Sequence, residues 1–250
     1  MPLRILPTLL VCLLATTATL PAAPLAIQPG EKFTYRLAWG PFRKAATLDI
    51  VADVDPDSGN GHTRITTHTA TSGMIRALYR FDGWGQFIYE PIDGRLMRAE
   101  AWTESSSKET KATMTLDYDT MIADYEDHVR PARSLQLEIP ETQAFDFLTT
   151  LMQTRSWDID LGDDFAVPVY FDDELYDLVI SVEERRQIKT PLGKRDALLI
   201  IPRMPVEPKG MFEDGGEIRV WISDDELRLP LKFEVKVAVG TAMALLMEYV

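Results

Sequence analysis

Residues 215–240, GGEIRVWISDDELRLPLKFEVKVAVG, constrain this chain more than any other stretch. In the first half Ile218, Val220 and Ile222 alternate with Glu217, Arg219 and Trp221. In the second, Leu229, Leu231, Phe233, Val235, Val237 and Val239 alternate with Pro230, Lys232, Glu234 and Lys236. A period of two sustained this long has no helical solution; it predicts two strands of a sheet with one dry and one wet face. Ser223-Asp224-Asp225-Glu226 supplies the turn, because short polar side chains there bond their own backbone.

The earlier chain repeats the pattern. Phe33, Tyr35, Leu37 and Trp39 alternate with Thr34, Arg36 and Ala38, and Leu48, Ile50 and Val54 continue in phase. Asp55 to Gly61 (DPDSGNG) and Pro91 to Gly94 are turn sequences, and Asp82-Gly83 reads as a tight turn between strands at Met74–Phe81 and Trp84–Tyr89. Strands are expected again at 95–102, 112–118, 165–171, 176–182 and 197–201, and at 241–250 after the opening hairpin. From Pro140 to Arg155 the period turns helical, with Phe145, Phe147, Leu148, Leu151 and Met152 on one broad face and Pro140-Glu141 suited to a helix start. The expected fold is mainly β: a single antiparallel, curved sheet or partly open β-barrel with one mid-chain helix, about 140–155, packed on or in it.

The N-terminus reads as an address. Arg4, the apolar run Leu9–Leu14 and the small-residue segment ATTATLPAAP follow the order of a cleavable signal peptide over residues 1–23, with cleavage near Ala22, Ala23 or Ala26. The run is too short for a transmembrane helix. Cys12 lies inside it after Val11, which argues against lipid attachment. Cleavage removes the only cysteine and leaves one exported domain, 28–250, expected in the periplasm without disulfide or thiolate chemistry. With 39 Asp plus Glu against 26 Lys plus Arg, nucleic acid is not an expected partner.

The side chains that carry chemistry are sparse. His62 and His68 on one strand would stand ~20 Å apart, too far to share a metal, and His128 sits in a charged loop. Asp55-x-Asp57-x-Gly59 resembles the opening of a calcium loop, but Thr66 stands where its bidentate glutamate belongs. Asp163-Asp164 and Asp172-Asp173 flank a strand as turn carboxylates would. No metal, cofactor or catalytic group is therefore expected, and the chain reads as a non-enzyme. The ligand-cavity candidates are Tyr35, Trp39, Phe81, Trp84, Trp102, Phe145, Leu148, Met152 and Trp221, with Phe33 and Phe87 in the same aromatic set; the same residues would serve equally as core. Asp146 and Arg155 are structural charges at the helix ends.

GEKFTYRLAWG (Gly30–Gly40), AFDFLTTLMQTR (Ala144–Arg155), TPLGKRDALLIIP (Thr190–Pro202) and the 217–240 stretch resemble, in order and spacing, the bacterial domain-of-unknown-function family 3108 (DUF3108). The resemblance covers essentially the whole mature chain and implies an exported protein of Gram-negative bacteria without an assigned activity. Trp221-Ile222-Ser223 and Leu229-Pro230 are similar at fold level to the periplasmic lipoprotein-localisation carriers, in which a helix plugs an acyl-chain cavity. A lipid-like small molecule bound in a barrel cavity is the leading expectation. An envelope protein bound at the sheet edge or the Pro202–Gly216 loop is the alternative.

Overall fold

The structure is a computed structural model that describes residues 18–19, 23–171, 173–206, 208, 210–237 and 240–250. The expected leader core at Leu9–Leu14, Asp172 and the strand end at Val239 lie outside the described residues. The chain is mainly β. Its strands are β1 Lys32–Trp39, β2 Phe42–Val54, β3 Thr63–Thr71, β4 Phe81–Tyr89, β5 Leu96–Ser105, β6 Glu109–Asp117, β7 Ile122–Asp127 and β8 Leu135–Glu138, then β9 Asp164–Phe171, β10 Glu174–Thr190, β11 Gly193–Arg203, β12 Glu217–Ser223, β13 Pro230–Val237 and β14 Gly240–Tyr249. All join one curved antiparallel sheet in the order β9 to β14, then β1 to β8. The two ends of the chain meet in its middle, where Ala244 of β14 pairs with Leu37 of β1. The sheet does not close. Its antiparallel run ends at β8 and β9, which are consecutive in sequence; β9 is flanked by two short parallel pairings, Ala18–Thr19 with Phe165–Ala166 and Phe145–Asp146 with Val169–Tyr170, and the chain turns inward after the second.

Register identifies the inner face. The row Tyr249, Phe33, Ile50, Thr67, Gly85, Ala101, Ala112 runs across seven strands, and Phe33 and Ile50 within it are fully buried. Because hairpin turns of a meander alternate between its ends, the β1–β2, β3–β4 and β5–β6 connections share one end. The start of β1 and the end of β14 share the other end with the β2–β3, β4–β5 and β12–β13 turns.

The inward segment carries α2, Phe147–Gln153, followed by one 3-10 turn, Thr154–Ser156. This helix is shorter than the expected 140–155. Phe145 and Asp146 pair with Val169 and Tyr170 of β9 instead of coiling, so the helix starts only where the Asp146 carboxylate accepts Leu148 N–H at 2.9 Å and Thr149 N–H at 3.1 Å. The helix is buried beyond its apolar face, with Thr149, Thr150, Gln153 and Thr154 enclosed beside Leu151 and Met152. The threonines tolerate this because Thr150 Oγ1 donates to the Asp146 carbonyl and Thr154 Oγ1 to that of Leu151.

The expected strand over Met74–Phe81 is a second departure. Gly73–Leu78 forms the short helix α1, and Asp82-Gly83 lies inside β4 rather than in a turn. Asp82 is buried and accepts both terminal nitrogens of Arg76 at 2.9 Å, which ties α1 down onto β4. Gly83 leaves room for the Phe81 ring, which would stand 3.1 Å from any Cβ at that position.

Ala18–Thr19 pair in parallel with Phe165–Ala166 of β9, and the described chain resumes at residue 23. Leu25 and Ile27 are buried, and the backbone around them is held by two glutamine side chains: Ala23 by Gln143, and Pro24 and Ala26 by Gln153. Gly94 makes this seam possible. At φ +66° its added Cβ would collide with the Gln143 amide and come within 2.7 Å of the Ala23 carbonyl oxygen. Gly94→Ala should lower stability by ~1–3 kcal/mol, and a denaturant titration will read that as a fall in midpoint at unchanged slope.

Candidate functional site

The interior is filled by side chains at one end and hollow at the other. At the end that holds the start of β1 and the end of β14, the inward residues Tyr89, Leu96, Leu116 and Ala123 are packed shut. Toward the opposite end the inner face of β3–β6 carries Thr67, Gly85, Ala99, Ala101 and Ala112, side chains too small to meet across the sheet. A cavity of about 380 Å³ results. Its walls are Phe87, Met114 and Tyr125 from the sheet, Phe147 and Leu148 from the start of α2, and Phe171 from the end of β9. Ala101 faces inward yet is exposed, which marks the mouth.

The floor at α2 is rigidly held. The Asp146 carboxylate caps the helix and accepts the buried Tyr89 hydroxyl at 2.7 Å. Burial pushes the Asp146 carboxyl above the usual carboxylate range, against the opposing bonds from Thr149 and Tyr89. Burial also raises the Tyr89 hydroxyl well above its ordinary value. At the other end of the helix Arg155 makes a two-pronged bond to Glu31 at 2.7 and 3.1 Å and lies over the Phe33 ring, 5.4 Å from its centroid. Asp146 and Arg155 thus fix the two ends of the plug to different parts of the sheet.

The nine cavity candidates scatter. Leu148 lines the cavity, and Trp84 borders it from β4. Tyr35 is buried in the core, its hydroxyl donating to the Pro230 carbonyl and its ring edge-on to Phe233. Phe145 packs on Tyr89, and Met152 lies in the closed core. Phe81 covers Gly83 near the mouth, and Trp39 sits half-exposed at the end of β1. Trp221 is on the outer face, opposite Lys232, and is buried there beneath the Arg186 guanidinium at 4.4 Å.

Trp84 and Trp102 also project outward. With His68 they form a stacked row over β3–β5, with centroid spacings of 5.3 and 5.6 Å, beside a second opening of about 360 Å³ that includes Asp49, Thr66 and Gln86. The alternation shows which residues share a face, while the registry with Phe33 and Ile50 decides which face is inside. Sequence reasoning missed Gly85, Ala99, Ala101 and Ala112. Their signal is legible in retrospect: small residues at period two, in phase with Phe87 and Met114.

The acidic pairs do not converge. Asp163-Asp164 and Asp173 stand at opposite ends of the eight-residue β9, roughly 25 Å apart, and Asp173 pairs with Arg133. Among the described residues no group of three or more His, Cys, Asp or Glu is placed to hold a metal, and no helix is long and apolar enough to cross a membrane.

An open, curved antiparallel sheet wrapped round a buried helix, with an apolar cavity at one end, defines a β-barrel-like protein. The chain belongs to the family described as protein of unknown function (DUF3108), whose model matches residues 34–247. It has the fold of a β-barrel-like protein of unknown-function family DUF1849 from Brucella abortus, at 10% identity and a TM-score of 0.56, covering 92% of this chain and 98% of that one. More distant likenesses are to a candidate lipoprotein from Parabacteroides distasonis (9% identity, TM-score 0.34, 91% and 99% covered) and a candidate exported protein with a YmcC-like fold from Bacteroides fragilis (11%, 0.32, 92% and 99%). No curated protein matches the chain.

Proposed function

We propose that this chain is an exported, periplasmic, non-enzymatic binding protein that holds a hydrophobic, lipid-like ligand in the cavity between the inner face of β3–β7 and the start of α2. The cavity itself carries the reading. Its volume, about 380 Å³, falls in the range of small-molecule sites, and its lining of Phe87, Met114, Phe147, Leu148 and Phe171 offers apolar contact on several sides. Each methylene transferred there from water contributes ~0.8 kcal/mol. The signal-peptide-like order of residues 1–23 supports export. The separated carboxylates support binding without chemistry.

Native mass spectrometry of the protein taken from its own periplasm tests this. A co-purified lipid-like molecule is expected in the wild type. Ala101→Trp, which places a ring in the open mouth, should weaken its retention roughly 30-fold if two or three methylenes are displaced. An empty wild-type protein that takes up no fatty-acyl probe would overturn the reading.

A further inference from the structure

The end of the sheet at which the cavity opens differs in chemistry from the rest of the molecule. Its β3–β4 connection is α1, which buries Ile75 and leaves Met74 and Leu78 67% and 73% exposed. Tyr79, next in sequence, is 45% exposed, and Trp39, at the end of β1 beside the β1–β2 connection, is 41% exposed. The start of α1 is tied to the beginning of β2, just past that connection, since Ser72 N–H donates to the Ala45 carbonyl and Ser72 Oγ to that of Lys44. Four apolar or aromatic side chains are therefore displayed on one rim.

The same rim is basic in a chain whose formal net charge is −13. Arg43, Lys44, Arg76 and Arg80 stand here against the carboxylates of Asp82 and Glu104. Arg43 and Lys44 are exposed, so this part of the end presents positive charge; elsewhere both ends are mixed, with Lys194 and Arg195 in the far-end β10–β11 hairpin and Asp127 and Asp173 at the near end.

We infer that this rim docks on the anionic surface of a phospholipid bilayer, with Met74, Leu78, Tyr79 and Trp39 entering the headgroup layer and Arg43 and Lys44 facing lipid phosphates. Exposed aliphatic side chains beside Trp and Tyr and within reach of basic groups are what an interface of that kind accommodates. The orientation points the mouth at Ala101 toward the membrane, so that a lipid-like ligand could pass without crossing water. That consequence rests on the binding reading above; the docking itself does not.

Vesicle flotation of the chain recovered from its host's envelope tests the inference. The probes are vesicles of equal parts phosphatidylcholine and phosphatidylglycerol, and vesicles of phosphatidylcholine alone. The protein should float with the anionic vesicles at low salt and be released at high salt. Arg43→Gln and Lys44→Gln should each weaken binding about fivefold, and Met74→Ser with Leu78→Ser, all solvent-facing, should abolish it while leaving the unfolding midpoint in place. Equal binding to both vesicle types, or no loss in the serine variant, overturns the docking. Dimerisation in lipid-free buffer that is abolished by the serine variant, without vesicle binding, would instead assign the rim to a second copy of the chain. Ala101→Trp separates the two readings: it should lose ligand and still float.

Discussion

Arg155→Ala should destabilise the protein by ~3–5 kcal/mol, the effect of leaving one member of a buried ion pair without its partner. The Arg155 and Glu31 side chains are only 9% and 14% exposed, so water replaces the lost guanidinium only in part. The bond also closes several long loops together. Arg155 Nε donates to the Leu227 carbonyl in the β12–β13 turn, Glu31 accepts the Gln28 N–H, and the Tyr249 hydroxyl donates to Glu31 at 2.6 Å. The end of the plug, the segment before β1, the end of β14 and the β12–β13 turn therefore meet at one ion pair. Arg155→Lys should recover only part of the loss, because an ammonium cannot make the two-pronged contact. A cost under ~1 kcal/mol for Arg155→Ala, the worth of a surface pair, would sink this account.

The same pair sets an acid limit. Burial pushes the Glu31 carboxyl up, but the bonds from Arg155, Tyr249 and Gln28 overcome it and hold the group below its usual range. A folded-state value depressed in this way adds stability that is complete above the unfolded value, ~4.3, and is lost as pH falls through the folded value. Wild-type stability should thus fall below about pH 4, and a urea series should show this Glu31 contribution missing in Arg155→Ala.

What the residues disclose follows the range over which their information acts. The strands were legible because alternation is local: Ile218, Val220 and Ile222 are in phase wherever the strand ends up, and all three are buried. Family membership was legible from four segments because order and spacing survive without any knowledge of contacts. Helix boundaries were not. Asp146 is the cap of α2 only because the residue before it and Asp146 itself have bonded to β9, a partner about twenty positions on. The strand expected over Met74–Phe81 failed for a related reason, since Arg76 finds Asp82 only when the chain coils.

The cavity was hidden by a plausible error of weight. Large aromatics attract attention, yet the register of β3–β5 turns Trp84 and Trp102 outward, and the space inside is made by Gly85, Ala99, Ala101 and Ala112. A void is written in small residues. Reading it requires the cross-strand partner of each, and register in a meander of this length accumulates through every bulge, including those at Ile88/Tyr89 and Leu246/Glu248.

Asp146→Ala should cost ~2–4 kcal/mol, and most of that should be coupled to Tyr89. The substitution removes the acceptor for two N–H groups at the helix start, worth ~1 kcal/mol. It also strands the fully buried Tyr89 hydroxyl, worth a further ~1–3 kcal/mol. In a Tyr89→Phe background the second part has already gone, so Asp146→Ala there should cost only ~1 kcal/mol, a coupling that a double-mutant cycle will read directly. Asp146→Asn should be mild, since an amide oxygen caps a helix about as well. The pH dependence has the opposite sign to that of Glu31. A carboxyl whose folded value is raised binds its proton more tightly in the folded state, so its contribution is greatest below the unfolded value, ~3.9, and declines as pH rises through the window above it. Asp146→Asn should flatten that decline while keeping the cap. Because Phe147 and Leu148 stand on this cap and line the cavity, Asp146→Ala should also loosen acyl-probe binding, whereas Asp146→Asn should not. If the two variants lose stability and probe equally, the role of the carboxylate as cap and anchor of the cavity floor is wrong.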